Sequence, residues 1–404
     1  MKRKILVFAS TFPRWKNDTN PPFVYELSKR LTKDFEIIVL APHYPGAETY
    51  EEMDGMKVYR FRYFLKKYQK LAGSGGILPT IKKNKWYFFQ VPFFMLGEYL
   101  ALRKLVKKEK PDMIHAHWII PQGINAFVNY KISKIPYVVT TWGGDMFIFK
   151  KKGIIAYCLK KLYSKTINNS FYSTTVNIAF KEEMQEISKD KNKILYIPNG
   201  VDTKLFNPHN KDNSIKKKYN INGQFMLFVG RLTEKKGIEY IIKAMPKLIE
   251  KYPKIKLLIV GGGELKEELE KLSSELKVNN NVIFTGPITN HELPRYYASA
   301  DLFIAPSIQT KQGDREGFPT VFLEAMASGT PIITTNIEGI REIIQEKKNG
   351  FIVTQKSSEE LSNAILSFFK NKDNLTKMKA ISREIAVSNY DWSKVIKQYQ
   401  ELLK

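Results

Sequence analysis

Residues 313–331 read GDREGFPTVFLEAMASGTP, and the rest of the chain is best read outward from them. A polar, charged loop (313–317) runs into Pro319 and then into an apolar helical run that stops at Gly329-Thr330-Pro331. Proline suits the first helical position, where its missing N–H would be unpaired anyway, and glycine suits the position past the end. Glu316 is thereby delivered to the mouth of a helix whose free N–H groups point back at it. Such a mouth carries partial positive charge and converging donors, and it holds anions. Glu324 falls roughly 8 Å along the helix axis from Pro319. Two carboxylates therefore flank one anion-binding mouth at different depths, where they make sense as acceptors for sugar hydroxyls. On this stretch alone the plainer reading, two solvated acids on an amphipathic helix, stays open.

The surrounding half of the chain repeats a strand–loop–helix theme. Strands are expected at 225–231, 256–260, 282–285, 302–305, 332–335 and 351–353, with helices at 237–251, 265–276, 291–298, 319–327 and 358–370. The first half reads the same way. Strands are expected at 4–10, 36–41, 57–63, 113–118, 136–142, 173–177 and 194–198, and helices at 23–32, 97–108 and 155–168. Alternation of this kind predicts parallel sheets with helices on both faces. At 404 residues the chain is too long for one core. The expectation is two doubly wound, Rossmann-like α/β domains, with the polar stretch 202–223 as linker. The first spans 1–203 and is rejoined by a terminal helix within 388–404; the second spans 204–387. In open α/β sheets ligands sit outside the carboxyl ends of the strands, so site residues should follow strands, in a cleft where the two domains' strand ends face each other.

Several do. Residues 229–237, VGRLTEKKG, place Arg231 and Lys236 on a strand-to-helix loop, with Gly230 and Gly237 allowing close backbone approach. A planar guanidinium and a compact ammonium suit a diphosphate; Lys235 reads as a solvated neighbour. Residues 259–265, IVGGGEL, form a glycine turn centred on Gly262. It lacks the spaced G-x-G-x-x-G of a dinucleotide site, which disfavours a nicotinamide oxidoreductase. His115 and His117 share one face of a strand; no third ligand at metal spacing joins them, and Asp-x-Asp is absent from the chain, so the site is expected to be metal-free. Cys158, the single cysteine, excludes an intramolecular disulfide framework, fits a reducing cytoplasm and reads as helix packing.

The net charge of +25 implies an anionic partner: nucleic acid, an acidic membrane surface or phosphorylated substrates. The lysine-led start, 2–8, is too short and too soon broken by Pro13 for a signal peptide and reads as a buried strand. Residues 86–102 carry Gln90, Pro92, Gly97 and Glu98, which excludes a transmembrane helix. The wider segment 61–110 interleaves aromatics with lysines. It suits an interfacial element on anionic headgroups, a stacking surface for single-stranded nucleic acid, or a core helix with snorkelling lysines. No nucleic-acid module accompanies it, so no nucleic-acid partner is expected.

Taken together the motifs resemble one family, the retaining glycosyltransferases of the GT-B fold that use nucleotide-diphosphate sugars (the family-four type). The pieces run in order: 112–118 (DMIHAHW), 140–145 (TTWGGD), 197–206 (IPNGVDTKLF), 229–237, 259–265, 281–286 (NVIFTG), 300–307 (ADLFIAPS) and 316–331, with its two glutamates. The resemblance implies that Arg231 and Lys236 hold the donor diphosphate beside Gly230 and Gly262. It implies that Glu316 accepts from donor-sugar hydroxyls and Glu324 from the ribose, and that Gly317, Phe318, Pro319 and Thr320 line the helix mouth. His117 would face the donor sugar near the reaction centre, with Trp142, Gly143 and Asp145 on the acceptor side. It further implies retention, no cofactor and a glycan or lipid-linked acceptor; the net charge and the segment 61–110 are expected to bring the first domain of this cytoplasmic enzyme to the inner face of an anionic membrane. Two departures stand out: the loop after the first strand (12–22) lacks the family's paired glycines, and Trp142 replaces a common histidine. A nucleotide-sugar epimerase of the same architecture, or a basic membrane- or nucleic-acid-binding protein, are the rival readings.

Overall fold

The computed structural model describes residues 2–404 except 17, 19–22, 73–75, 78–79, 82–83, 147–148, 150–151, 312 and 315, and for 372–374 the backbone alone. Thr19–Pro22 of the first loop and Arg315 of the glutamate loop therefore lie outside the described residues. The chain divides into two compact units, 1–198 with 396–404, and 199–395.

The first unit holds β1 (Lys4–Phe8), β2 (Glu36–Pro42), β3 (Tyr50–Met53), β4 (Met56–Phe61), β5 (Met113–His117), β6 (Tyr137–Thr141), β7 (Tyr172–Thr175) and β8 (Ile194–Tyr196). They form one sheet in the order β3-β4-β2-β1-β5-β6-β7-β8. The second unit holds β9 (Phe225–Val229), β10 (Lys256–Val260), β11 (Val282–Gly286), β12 (Leu302–Ala305), β13 (Ile332–Thr335) and β14 (Gly350–Val353), ordered β11-β10-β9-β12-β13-β14. That second order is the 3-2-1-4-5-6 of a doubly wound Rossmann fold. All pairings are parallel except β3 with β4. Continuous apolar runs such as β9, every residue of which is buried, are what a sheet covered on both faces requires. Strand order reverses between β1 and β5, and again between β9 and β12. Crossovers diverge at such switch points and leave a crevice above the carboxyl ends. The loops carrying Arg231 and Lys236 leave β9, and His117 closes β5.

The structure departs from expectation at several elements. The hairpin β3–β4 turns on Asp54-Gly55, both with positive φ (46° and 79°), as a two-residue hairpin turn demands. Residues 202–223 are no free linker: they belong to the second unit and pack on it. Phe206 meets the Tyr297 ring at 5.8 Å, Asp212 N–H donates to Ser299 Oγ at 2.8 Å, and Ile215 and Ile221 are buried. Cys158 is exposed rather than packed. Helix Val91–Glu109 starts six residues earlier than expected, with Pro92 in its first turn. Among the described residues no helix is long and apolar enough to cross a membrane.

Candidate active site

The helix after the glutamate loop is Thr320–Ala327. Pro319 is its N-cap, with φ −77° and ψ 102°, not its first helical residue. A proline cannot carry the capping N–H, and no side chain caps the end. Phe322 N–H donates to Pro319 C=O at 3.0 Å, and the two N–H groups before it, of Thr320 and Val321, have no intrahelical acceptor and face out of the mouth.

Glu316 hangs over this mouth, its side chain 10% exposed. Lys236 Nζ lies 3.2 Å and Lys235 Nζ 3.8 Å from Oε1. Burial pushes the carboxyl up, but Lys236, Lys235 and Arg231 together pull it further down, below the usual glutamate range. Glu316 is therefore an acceptor at neutral pH. Lys235 also reaches Asp314 at 3.6 Å, so it is a member of the cluster and not a solvated bystander. The signal that would have exposed it is spatial; nothing in the spacing separates it from other lysines.

Glu324 differs in state. Its Oε2 accepts from the fully buried Tyr297 hydroxyl at 2.8 Å. Burial raises the carboxyl to about 7, against which the tyrosine bond acts only weakly.

Two glycine loops are pressed together beneath Arg231. Gly230 N–H donates to Val260 C=O and Leu232 N–H to Gly262 C=O, each at 3.0 Å, while Leu265 N–H returns to Leu232 C=O at 3.1 Å. A Cβ at Gly261 (φ 138°) would sit 1.9 Å from Gly230 O, and one at Gly263 2.3 Å from Leu232 O. At Gly262, by contrast, it would meet only Pro287 at 3.6 Å. The turn is glycine-rich because backbone packs on backbone there. Gly237 (φ 61°) presses the same loop on Pro306 O, the residue after β12.

In the first unit His117 is fully buried at the end of β5, and Trp142 Nε1–H donates to its Nδ1 at 3.1 Å. The proton of the neutral ring is thereby assigned to Nε2, a buried donor with no hydrogen-bond partner among the described residues. Burial, with His115 adding to it, holds His117 far below the ordinary histidine range, so it stays neutral. His115 bonds Thr140 Oγ1 at 2.7 Å. Its ring lies 4.2 Å from His117 and 5.6 Å from Tyr399, centroid to centroid, and Trp142 stacks on His117 at 5.7 Å. Trp142 at a common histidine position thus acts as a hydrogen-bond donor and a ring face.

Asp145 is buried. One carboxylate oxygen accepts Ile119 N–H at 2.6 Å and the other accepts the Thr141 hydroxyl, so it braces the turn after β5 against the turn after β6. Gly143 takes φ 105° in that second turn. Among the described residues no group of three or more His, Cys, Asp or Glu is placed so that it could hold a metal ion.

Two family models match the chain consecutively: Glycosyltransferase Family 4 over residues 22–205 and Glycosyl transferases group 1 over 211–385. An uncharacterised glycosyltransferase of Methanocaldococcus jannaschii is 28% identical over 91% of this chain and 89% of its own length. A GDP-mannose-dependent alpha-(1-6)-phosphatidylinositol monomannoside mannosyltransferase of Mycobacterium tuberculosis is 32% identical over 52% of this chain and 55% of its own length. Among solved structures, sucrose-phosphate synthase from Thermosynechococcus elongatus superposes with a TM-score of 0.78, at 18% identity, over 99% of this chain and 98% of that one. Parallel sheets in Rossmann order, paired glutamates at a basic helix mouth and these matches lead to one conclusion: the chain belongs to the group 1 glycosyltransferases of the family-four type, with the GT-B fold.

Proposed function

We propose that this glycosyltransferase moves a hexosyl group from a nucleotide-diphosphate donor to a glycan or lipid-linked acceptor, with retention and without a metal. The observation that carries the reading is the cationic group around one buried carboxylate: Lys236, Lys235 and Arg231 about Glu316. The cations exceed what Glu316 needs, and the surplus charge, with the helix mouth at Gly317 to Thr320, suits a leaving diphosphate. Glu316 itself accepts from hydroxyls of the donor sugar, and Glu324 from those of the ribose. His117 supplies a neutral Nε2–H to a substrate oxygen. It cannot serve there as a base, because its one free nitrogen carries the proton. In the reaction the bond from the anomeric carbon to the phosphate oxygen breaks and the electron pair leaves with the diphosphate. The acceptor oxygen bonds the same face, and its proton passes to the departing phosphate.

The name of the mycobacterial relative, which specifies a GDP-sugar and a phosphatidylinositol glycolipid, supports this donor class and an acceptor in cell-surface glycolipid or polysaccharide synthesis. Such an acceptor places the enzyme peripherally on the inner face of the membrane.

A thermal-shift screen against nucleotide sugars tests donor binding, since a ligand that binds only the folded state stabilises it by mass action. Lys236→Ala and Glu316→Ala should each lower kcat by about a hundredfold or more while the fold survives. Transfer is read as nucleotide diphosphate released only when acceptor is present, which an epimerase would not show. A fully active Lys236→Ala enzyme would overturn the assignment.

A further inference from the structure

Trp118 follows His117 at the end of β5 with φ 75° and ψ 141°. Such a backbone is close to the region that glycine alone occupies, and a bulky side chain there is strained. Strain of this kind persists only where the surroundings impose it, and here they do. Trp118 N–H donates to Thr140 C=O at 2.7 Å, and its C=O accepts Gly123 N–H at 3.0 Å. A Cβ at Gly123 would press on that carbonyl at 3.2 Å. Asp145 takes the next N–H, that of Ile119. Glu98, fully buried on helix Val91–Glu109, accepts from Gln122 Nε2 at 2.6 Å and from Asn125 Nδ2 at 2.7 Å. Burial pushes both carboxyls up, Glu98 to about 8. Two buried carboxyls are a costly brace for one turn, which points to a use for the conformation they enforce.

That use is legible in the rings the turn gathers. His115 and His117 share one face of β5, and a strand continued to 118 would send the next side chain to the other face. The turn instead brings the indole back to 6.5 Å from the His117 ring. Phe23, which opens helix Phe23–Leu31 after β1, lies 6.1 Å from Trp118 and 4.6 Å from Trp142, the residue after β6. Strands β1, β5 and β6 are neighbours in the sheet. Each therefore hands one half-buried aromatic ring to the same point of the carboxyl edge. That point is the switch between β1 and β5, where a crevice is left. The three rings are uncharged, and beside them stands His117 Nε2–H, a buried donor without a partner among the described residues.

We propose that Trp118 is a specificity-determining residue for the acceptor: its indole, with Phe23 and Trp142 beside it, stacks on the apolar face of a neutral pyranose ring. An aromatic face is electron-rich and attracts the weakly positive C–H groups that a sugar presents on such a face. Apolar walls with one or two placed polar groups are what a small-molecule site consists of. The acceptor is the substrate concerned because Arg231, Lys236, Glu316 and Glu324, the groups proposed for the donor's diphosphate, sugar hydroxyls and ribose, all lie in the second unit. The inference rests on the transferase reading for that assignment; the stacking itself does not need it.

The test is nuclear magnetic resonance of the full chain carrying isotope-labelled tryptophan. The sequence has five tryptophans, and the Trp118 indole signal is the one lost in Trp118→Phe. The probes are the methyl glycosides of glucose, galactose, mannose and N-acetylglucosamine, with glycerol and uridine as controls at the same concentration. At least one glycoside should move the Trp118 signal, and neither control should. In transfer to that glycoside, Trp118→Gly, which adopts φ 75° without strain, should raise the acceptor KM about tenfold with kcat little changed. Trp118→Phe, which keeps a ring, should recover most of that loss. The melting-temperature shift given by nucleotide sugars should be the same in all three proteins. A signal that no glycoside moves, or that uridine moves, overturns the proposal, and so does a Trp118→Gly enzyme with the wild-type acceptor KM. If a glycoside moves the signal yet no nucleotide sugar stabilises the protein, the stacking surface stands and the transferase reading falls.

Discussion

Glu324 is a carboxyl that its surroundings hold at about 7, with burial as the cause and Tyr297 as the one hydroxyl that eases it. Below pH 4.5 it is protonated in folded and unfolded chains alike. As pH rises from there to about 7 the unfolded chain gives up its proton first, so the fold loses stability. The loss is complete above that range and amounts to at most about 3 kcal/mol. Glu324→Gln should therefore raise the melting temperature at pH 8, leave it unchanged near pH 4.5, and weaken nucleotide-sugar stabilisation. A variant less stable than wild type at both pH values would show that the carboxylate is not strained in the fold. The contrast with Glu316, which its lysines hold charged, also marks what a sequence can disclose. Two glutamates around a Pro-led, Gly-ended helix are readable from spacing, because helix signals place them at one mouth. The partners that set their charge, Lys235 and Tyr297, come from other segments. In a chain with 65 lysines and arginines, Lys235 carries no mark of its own.

At the scale of elements, the parallel strands were readable because double burial makes each a continuous apolar run between turn signals. Readable too was the position of Arg231, Lys236 and His117 at strand ends. Strand β4 is readable at 57–63, but its hairpin partner β3, YEEM, lacks the apolar run that marks the others and goes unread although Asp54-Gly55 announces the turn. Residues 202–223 mislead for the opposite reason: their polar composition hides Phe206, Ile215 and Ile221, which fasten them to the second unit. The glycine turn separates two roles that composition merges. Gly261→Ala places a methyl group against Gly230 O and demands a φ that side chains avoid, so a loss of several kcal/mol in stability is expected, beyond the 1–3 kcal/mol of backbone strain alone (about that range). Gly262→Ala has room and should melt as wild type. If the turn underlies the nucleotide, Gly262→Ala should still weaken nucleotide-sugar binding, by calorimetric titration. Wild-type affinity would confine the turn to packing.

For the whole molecule the informative feature is that one unit is continuous in sequence and the other is not. Residues 199–395 form the second unit alone, whereas the first needs the chain to return with 396–404. That return is substantial. Tyr399, Leu402 and Leu403 are buried, Arg3 Nη1 donates to Leu403 C=O at 3.1 Å, Gln400 Nε2 donates to Asp34 at 2.6 Å, and the Tyr399 ring rests on His115. Each such large side chain is worth about 1.5–3 kcal/mol of burial, and Tyr399 backs the histidine pair that ends in His117. Deleting 396–404 should therefore lower the melting transition of the first unit and abolish transfer. Nucleotide-sugar stabilisation should persist, because Arg231, Lys236, Glu316 and Glu324 all lie in the other unit. Calorimetry should resolve this as one transition moved down and one still raised by ligand. Tyr399→Leu should give the same pattern in milder form, with kcat falling more than KM rises. A truncated chain that transfers sugar at the wild-type rate would remove the terminal segment from any part in positioning His117.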